Sequence, residues 1–252
     1  MRKHIPNFVT LLNLFSGSVA VVLAVQDELE LAAIFVFLGI IFDFFDGFAA
    51  RILRVPSEMG LQLDSLADMV TSGLVPGIVM FQLFNRALGT QTFTWALEGS
   101  AEQSAIDSGA SLLPFVGFAI TMGSAWRLAR FNIDEDQVDS FVGLPTPANA
   151  LFILSLPLIL TYQPSVWAEN LILNKWFLIA ITIASTWMLN APVRLFALKF
   201  KHFQLKGNRL RIFFLLLSLV LLLGLRFTAI PLIIVLYVIL SLAGNTREGQ
   251  VV

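Results

Sequence analysis

Four carboxylates at regular spacing carry the chemistry of this sequence. They lie in Asp43-Phe-Phe-Asp46-Gly47-Phe-Ala-Ala50-Arg51, followed after eight residues by Gly60-Leu-Gln-Leu-Asp64-Ser-Leu-Ala-Asp68. On a helix, residues three or four apart share a face. Asp43, Asp46, Gly47 and Ala50 therefore form one stripe, and Gly60, Asp64 and Asp68 form a second if the next helix begins near Gly60. A short connection through Pro56 makes the two helices antiparallel neighbours, so the stripes can face each other. Four aspartates at close range cannot all stay ionised, because each raises its neighbours' proton affinity. A bound cation resolves the conflict. Oxygen-only ligands point to Mg²⁺, Mn²⁺ or Ca²⁺ rather than zinc, in one or two copies. Such ions commonly hold phosphate or diphosphate oxygens. Gly47, Ala50 and Gly60 are small enough for a bulky ligand to approach the backbone, and Arg51 can pair with a phosphate or with an aspartate. Close packing between membrane helices would explain the glycines alone. Solvation does not explain four aspartates beside the apolar run from Phe35 to Phe42.

The elements that must position these residues are membrane spans. The chain has 252 residues, 57% hydrophobic and 13% charged, with a mean hydropathy of +0.83. Soluble domains carry roughly a quarter charged residues. Apolar windows near the ~20 residues that cross a bilayer fall at about 8–25, 31–53, 65–85, 111–130, 147–163, 174–193, 212–225 and 228–243. The predicted fold is thus all-α, a polytopic helical bundle of about eight spans. The last two windows are short and separated only by Leu225-Arg226-Phe227, so a hairpin or a re-entrant pair also fits. The first window is long enough to span and no small-residue cleavage site follows a short core, which favours a retained helix over a signal peptide.

Basic residues set the orientation. With the N-terminus inside, thirteen of the sixteen Lys and Arg fall on cytoplasmic segments and only Arg86, Lys175 and Arg226 fall outside. The expectation is N-in and C-in, with the aspartates at the cytoplasmic ends of the second and third spans. The loop at about 86–110 reads as a connection. The segment 194–211, with six basic residues and interleaved phenylalanines, suits anionic headgroups. A net charge of −1 gives no basic stripe for nucleic acid. The absence of cysteine excludes disulfides and thiolate metal sites.

The full pattern, D-x2-D-G-x2-A-R-x8-G-x3-D-x3-D, resembles the signature of the CDP-alcohol phosphatidyltransferases, integral membrane enzymes that move a phosphatidyl group from a CDP-lipid to an alcohol and release CMP. The resemblance implies that Asp43, Asp46, Asp64 and Asp68 bind Mg²⁺ or Mn²⁺, with Ca²⁺ able to occupy the site, and that Asp68 also serves as general base. Gly47, Ala50, Arg51 and Gly60 would contact the cytidine and diphosphate. Whether Asp68 acts in a concerted step or leaves the metal stays open.

Three further runs, Ile5-Pro-Asn7-Phe-Val-Thr10-Leu-Leu-Asn13, Trp126-Arg127-Leu-Ala-Arg130-Phe-Asn132 and Gly143-Leu-Pro145-Thr-Pro147-Ala-Asn149, are similar to the membrane-embedded bacterial and archaeal phosphatidylserine synthases of that family. This implies CDP-diacylglycerol and L-serine as substrates, and a homodimer in the cytoplasmic membrane of a prokaryote. Serine carries a carboxylate, and Arg127 and Arg130 lie at the predicted depth of the aspartates. Positive-inside anchoring explains the same arginines, and glycerol 3-phosphate would want them too. Asn132 is a substrate contact or a cap. Asn7, Thr10 and Asn13 form a polar stripe that lines the pocket or bonds between helices. Asp134, Glu135, Asp136 and Asp139 read as a solvated loop, and neither His4 nor His202 has a partner at ligand spacing. The chain reads as a single domain, 1–252, with a catalytic core at about 5–160 and packing or dimer helices over 165–252. The competing acceptors are glycerol 3-phosphate and an inositol phosphate. The competing class is a cation or proton transporter, which would need carboxylates near the midplane with access from both sides.

Overall fold

The fold, taken from a computed structural model, is described over residues 4–89, 112–133, 141–195 and 209–248. The acidic run Asp134 to Asp139, residues 90–110 of the predicted outer loop, and His202 with the middle of the basic segment lie outside the described residues.

The described residues are mostly helical: α1 His4–Val25, α2 Leu29–Leu53, α3 Glu58–Asp68, a π-helical turn Met69–Leu74, α4 Val75–Leu88, a 3₁₀ turn Leu113–Phe118, α5 Ala119–Ile133, α6 Thr146–Tyr162, α7 Val166–Ile172, α8 Lys175–Asn190, α9 Arg209–Leu225 and α10 Ala229–Glu248. The strand pairing among the described residues is a two-residue antiparallel one, Phe141–Val142 with Arg194–Leu195. The all-α bundle expected from composition is what forms.

Small residues make the central seam. Gly17, Ala20 and Ala24 of α1 are buried, as are Ala32, Ala33, Val36 and Gly39 of α2. Without long side chains between them, two apolar helices approach closely enough for dispersion to hold them in a bilayer, where no hydrophobic drive separates helix from lipid. α4 and α6 complete the core with Val79, Met80, Leu83, Phe84, Ile153 and Leu156.

The turns gather at two ends. At one, Arg86 on α4 pairs with Asp27 between α1 and α2 at 3.1 Å. Gln82 Nε2 there donates to the Ala24 and Val25 carbonyls at 3.1 and 3.0 Å. At the other, α2 stops where Arg54 turns left-handed at φ 54°, and Ser57 caps α3 by accepting from the Gly60 amide at 3.0 Å. Glu58 is thus where the third helix begins, several residues before the apolar window at 65. The polar Ser57, Glu58, Gln62 and Asp64, interleaved with Met59, Leu61 and Leu63, dilute the hydropathy of this start.

His4–Val25, Leu29–Leu53 and the continuous helical stretch Glu58–Leu88 are each long and apolar enough to cross a membrane. The 33-residue stretch Arg211–Ala243 passes the same test as one span, but its geometry is that of a hairpin. Arg226 adopts φ 50°, and Phe214 on α9 meets Tyr237 on α10 at 5.7 Å between ring centroids. Residues 23 apart on one straight helix would stand about 35 Å apart. The predicted window at 174–193 is α8, preceded by the unanticipated short α7 at an angle of 62°. Together these helices build an integral membrane bundle.

Candidate active site

α2 and α3 bring the two aspartate stripes face to face beside the 54–57 turn. One carboxylate oxygen from each of Asp43, Asp64 and Asp68 lies within 4.8 Å of the others. Asp46 sits one turn further along α2 and is 6% exposed. Its Oδ2 and the Oδ1 of Asp64 are buried without a hydrogen-bond partner. Buried carboxylate oxygens left unpaired are costly. The donor set fits a hard cation. Oxygens on opposite sides of one ion stand about 4.2 Å apart for Mg²⁺ and up to about 5 Å for Ca²⁺.

A cavity of about 210 Å³ opens beside the cluster. Its walls include Asn7 and Thr10 of α1, Asp46, Gly47 and Ala50 of α2, and Gly60 and Asp64 of α3. A Cβ at Gly47 would meet nothing within 4 Å, whereas one at Gly60 would press on Ser57 Oγ at 3.1 Å and Asn7 Oδ1 at 3.3 Å. Gly47 therefore opens the wall of the cavity, and Gly60 makes room for the cap. Arg51 stands exposed in the last turn of α2.

The other expected residues divide. Asn7 and Thr10 face the cavity, while Asn13 is fully buried and bonds within the protein. Its Nδ2 donates to Asp68 Oδ1 at 3.2 Å. Asn132 bonds to α3: its Oδ1 accepts from Ser65 Oγ at 3.0 Å and its Nδ2 donates to Gln62 Oε1 at 3.3 Å, tying α5 to α3. Arg127 is 9% exposed, its Nε is unpartnered, and its charge is close enough to attract Asp68. With the exposed Arg130 it lines a second, smaller cavity alongside Val142, Leu189 and Asn190.

Sequence reasoning missed Thr71. It is fully buried and donates to Asn13 Oδ1 at 2.8 Å. Its position three residues after Asp68 was the available signal, masked by the apolar character of the window around it. The π-helical turn that holds Thr71 was also missed; such turns recur at functional sites. Ser57, which forms both the α3 cap and part of the cavity wall, was likewise passed over.

A family model described as CDP-alcohol phosphatidyltransferase matches residues 3–188, which holds every aspartate and both arginines but stops short of α9 and α10. The chain is 32% identical over 166 residues to the CDP-diacylglycerol–serine O-phosphatidyltransferase of Bacillus subtilis, covering 64% of this chain and 78% of that protein. It is 32% identical over 169 residues to the protein of the same name from Saccharomyces cerevisiae, and 31% over 150 residues to that from Methanocaldococcus jannaschii. Those matches cover 61% and 60% of this chain, but only 53% and 58% of the yeast and archaeal proteins.

Proposed function

The chain belongs to the CDP-alcohol phosphatidyltransferase family, and from that premise we propose that it transfers the phosphatidyl group of CDP-diacylglycerol to the hydroxyl of L-serine, giving phosphatidylserine and CMP. The observation that carries this reading is the convergence of three carboxylate oxygens within 4.8 Å beside a cavity walled by Gly47, Ala50 and Gly60.

Asp43, Asp46, Asp64 and Asp68 would hold one or two divalent ions, Mg²⁺ or Mn²⁺. When bound, such an ion neutralises diphosphate charge and stabilises the departing phosphate. Gly47, Ala50 and Gly60 admit the cytidine and diphosphate to the helix backbone, and Arg51 pairs with a phosphate from the rim. Asp68 accepts the proton of the serine hydroxyl as that oxygen forms a bond to the lipid-linked phosphorus. The bond from that phosphorus to the bridging oxygen breaks, and CMP leaves with the electron pair. Arg127 and Arg130 take the serine carboxylate. Asn7 and Thr10 line the donor cavity, and Asn132 steadies α5 beside α3.

Relatives that share about a third of the matched residues bear the name of a serine O-phosphatidyltransferase, which supports serine over other acceptors. Eight passes with both termini in the cytoplasm would set the site at the cytoplasmic edge of a prokaryotic inner membrane, where a water-soluble alcohol arrives while the lipid tails stay in the bilayer. The thirteen-to-three split of basic residues supports that orientation. In this reading residues 5–160 are the catalytic core, and the later helices pack or form a homodimer.

The test is CMP release by purified protein given CDP-diacylglycerol, Mn²⁺ or Mg²⁺, and a panel of alcohols. Serine supports release, and Asp68→Asn abolishes it while CDP-lipid still binds. Release with glycerol 3-phosphate but not serine refutes the acceptor. Silence with every alcohol refutes the reaction, and turnover in Asp68→Asn removes that residue as base.

A further inference from the structure

We propose that Thr71 and Asn13 form a relay that positions the Asp68 carboxylate, Thr71 orienting the Asn13 amide and Asn13 holding one oxygen of Asp68. Asp68 is here the base and metal ligand of the reading above, on which this inference rests.

The relay is continuous in space. Thr71 Oγ1 donates to Asn13 Oδ1 at 2.8 Å, with the Asn13 backbone carbonyl a more distant second acceptor at 3.2 Å. Asn13 Nδ2 donates to Asp68 Oδ1 at 3.2 Å. Thr71 and Asn13 are 0% exposed and Asp68 is 9% exposed, so the chain of bonds lies inside the protein. An ionised carboxylate only accepts hydrogen bonds. The amide must therefore show its N–H₂ to Asp68, and its oxygen must then face a donor. Thr71 supplies that donor. With the hydroxyl removed, the Asn13 oxygen is left buried and unpaired, and the amide loses the contact that fixes its rotation.

The surrounding backbone is cleared for the pair. A Cβ at Gly39 of α2 would lie 2.6 Å from Thr71 Cγ2 and 2.8 Å from Asn13 Oδ1. A Cβ at Gly17 of α1 would collide with Thr71 Oγ1 and stand 3.0 Å from its Cα. Two helices thus each contribute a glycine where any side chain would displace the relay. The π-helical turn carrying Thr71 starts at Met69, immediately after Asp68. Its Gly73 carbonyl accepts from Thr121 Oγ1 of α5 at 3.1 Å, which anchors the turn to the bundle. Three helices and one irregular turn converge to hold a single carboxylate oxygen. The same carboxylate places an oxygen within 4.8 Å of one from Asp43 and one from Asp64.

Thr71→Val keeps the shape and removes the hydroxyl, and Thr71→Ser keeps the hydroxyl. Both full-length variants are purified in detergent and titrated with Mn²⁺ by electron paramagnetic resonance, alongside steady-state kinetics and thermal unfolding. Outer-shell partners of a metal ligand typically change affinity or activity by about 10- to 100-fold. Thr71→Val accordingly weakens Mn²⁺ binding at least about tenfold and lowers kcat by a similar factor, with KM for CDP-diacylglycerol unchanged and a lower unfolding temperature from the orphaned Asn13 oxygen, the protein remaining folded at the assay temperature. Thr71→Ser restores both. The relay is overturned if Thr71→Val binds Mn²⁺ and turns over like the wild type, or if Thr71→Ser is as impaired as Thr71→Val. If the wild type releases no CMP with any alcohol, the transfer reading fails by itself, and the Mn²⁺ titration still decides whether Thr71 positions Asp68.

Discussion

Gly47→Ala separates the fold from the site, because the same methyl group acts on them with opposite sign. Gly47 lies inside α2, six residues before its end, and a Cβ there meets no protein atom within 4 Å. Nothing in the fold resists alanine. Glycine costs a helix interior about 1 kcal/mol relative to alanine, so the substitution stabilises the protein by up to that amount. Gly47 lines a cavity of about 210 Å³ whose walls also include Asn7, Thr10, Ala50, Gly60 and two aspartates. If that space receives the cytidine diphosphate, the methyl competes with a closely fitting ligand. Overpacking of a fitted site costs about 1–3 kcal/mol, equivalent to about a five- to 150-fold rise in KM for the CDP-lipid. The assay pairs thermal unfolding in detergent with CMP release over a range of CDP-diacylglycerol concentrations. The expected result is an equal or higher unfolding temperature together with the raised KM. An unchanged KM would refute the assignment of Gly47 to the donor pocket. A marked fall in unfolding temperature would refute the claim that the wall at Gly47 is open.

Gly39→Ala is the contrasting case, because its Cβ would lie 2.6 Å from Thr71 Cγ2. It destabilises the protein by about 1–3 kcal/mol, read as a lower unfolding temperature, and it lowers kcat with it. Arg127→Lys keeps the charge but loses the planar fork that matches a carboxylate. It raises KM for serine about tenfold or more while leaving KM for CDP-diacylglycerol within about twofold, on the ordinary worth of charge-assisted hydrogen bonds, as measured by CMP release with each substrate varied in turn.

Much of this site could be read from spacing alone. Asp43, Asp46, Asp64 and Asp68 recur at three- and four-residue intervals, and that periodicity survives translation into two facing helices. Thr71 and the positioning use of Asn13 could not be read in the same way. Their relation joins residues 58 apart across α1 and the π-helical turn, and no single-helix period encodes it. Asn132 illustrates a second limit. Its type allows a cap, a ligand contact or an interhelical bond, and the last is visible only once Gln62 and Ser65 on α3 are brought beside it. Hydropathy located the apolar windows but placed the start of the third one late, since Glu58, Gln62 and Asp64 alternate with Met59, Leu61 and Leu63 in the first turns of α3. It did break the last apolar stretch at Leu225-Arg226-Phe227, and the left-handed Arg226 turns the chain there. The long helices follow from composition, whereas the turn chemistry depends on single residues.

The central claim is that the four aspartates form a metal-held transfer site. Its most direct test is anomalous diffraction at the manganese edge from crystals of the protein grown with Mn²⁺ and a CDP-lipid. An anomalous peak is expected within ligand distance of Asp43, Asp64 and Asp68, with the diphosphate in the cavity beside Gly47 and Gly60. A peak elsewhere, or none at the aspartates while the diphosphate is bound, would contradict it.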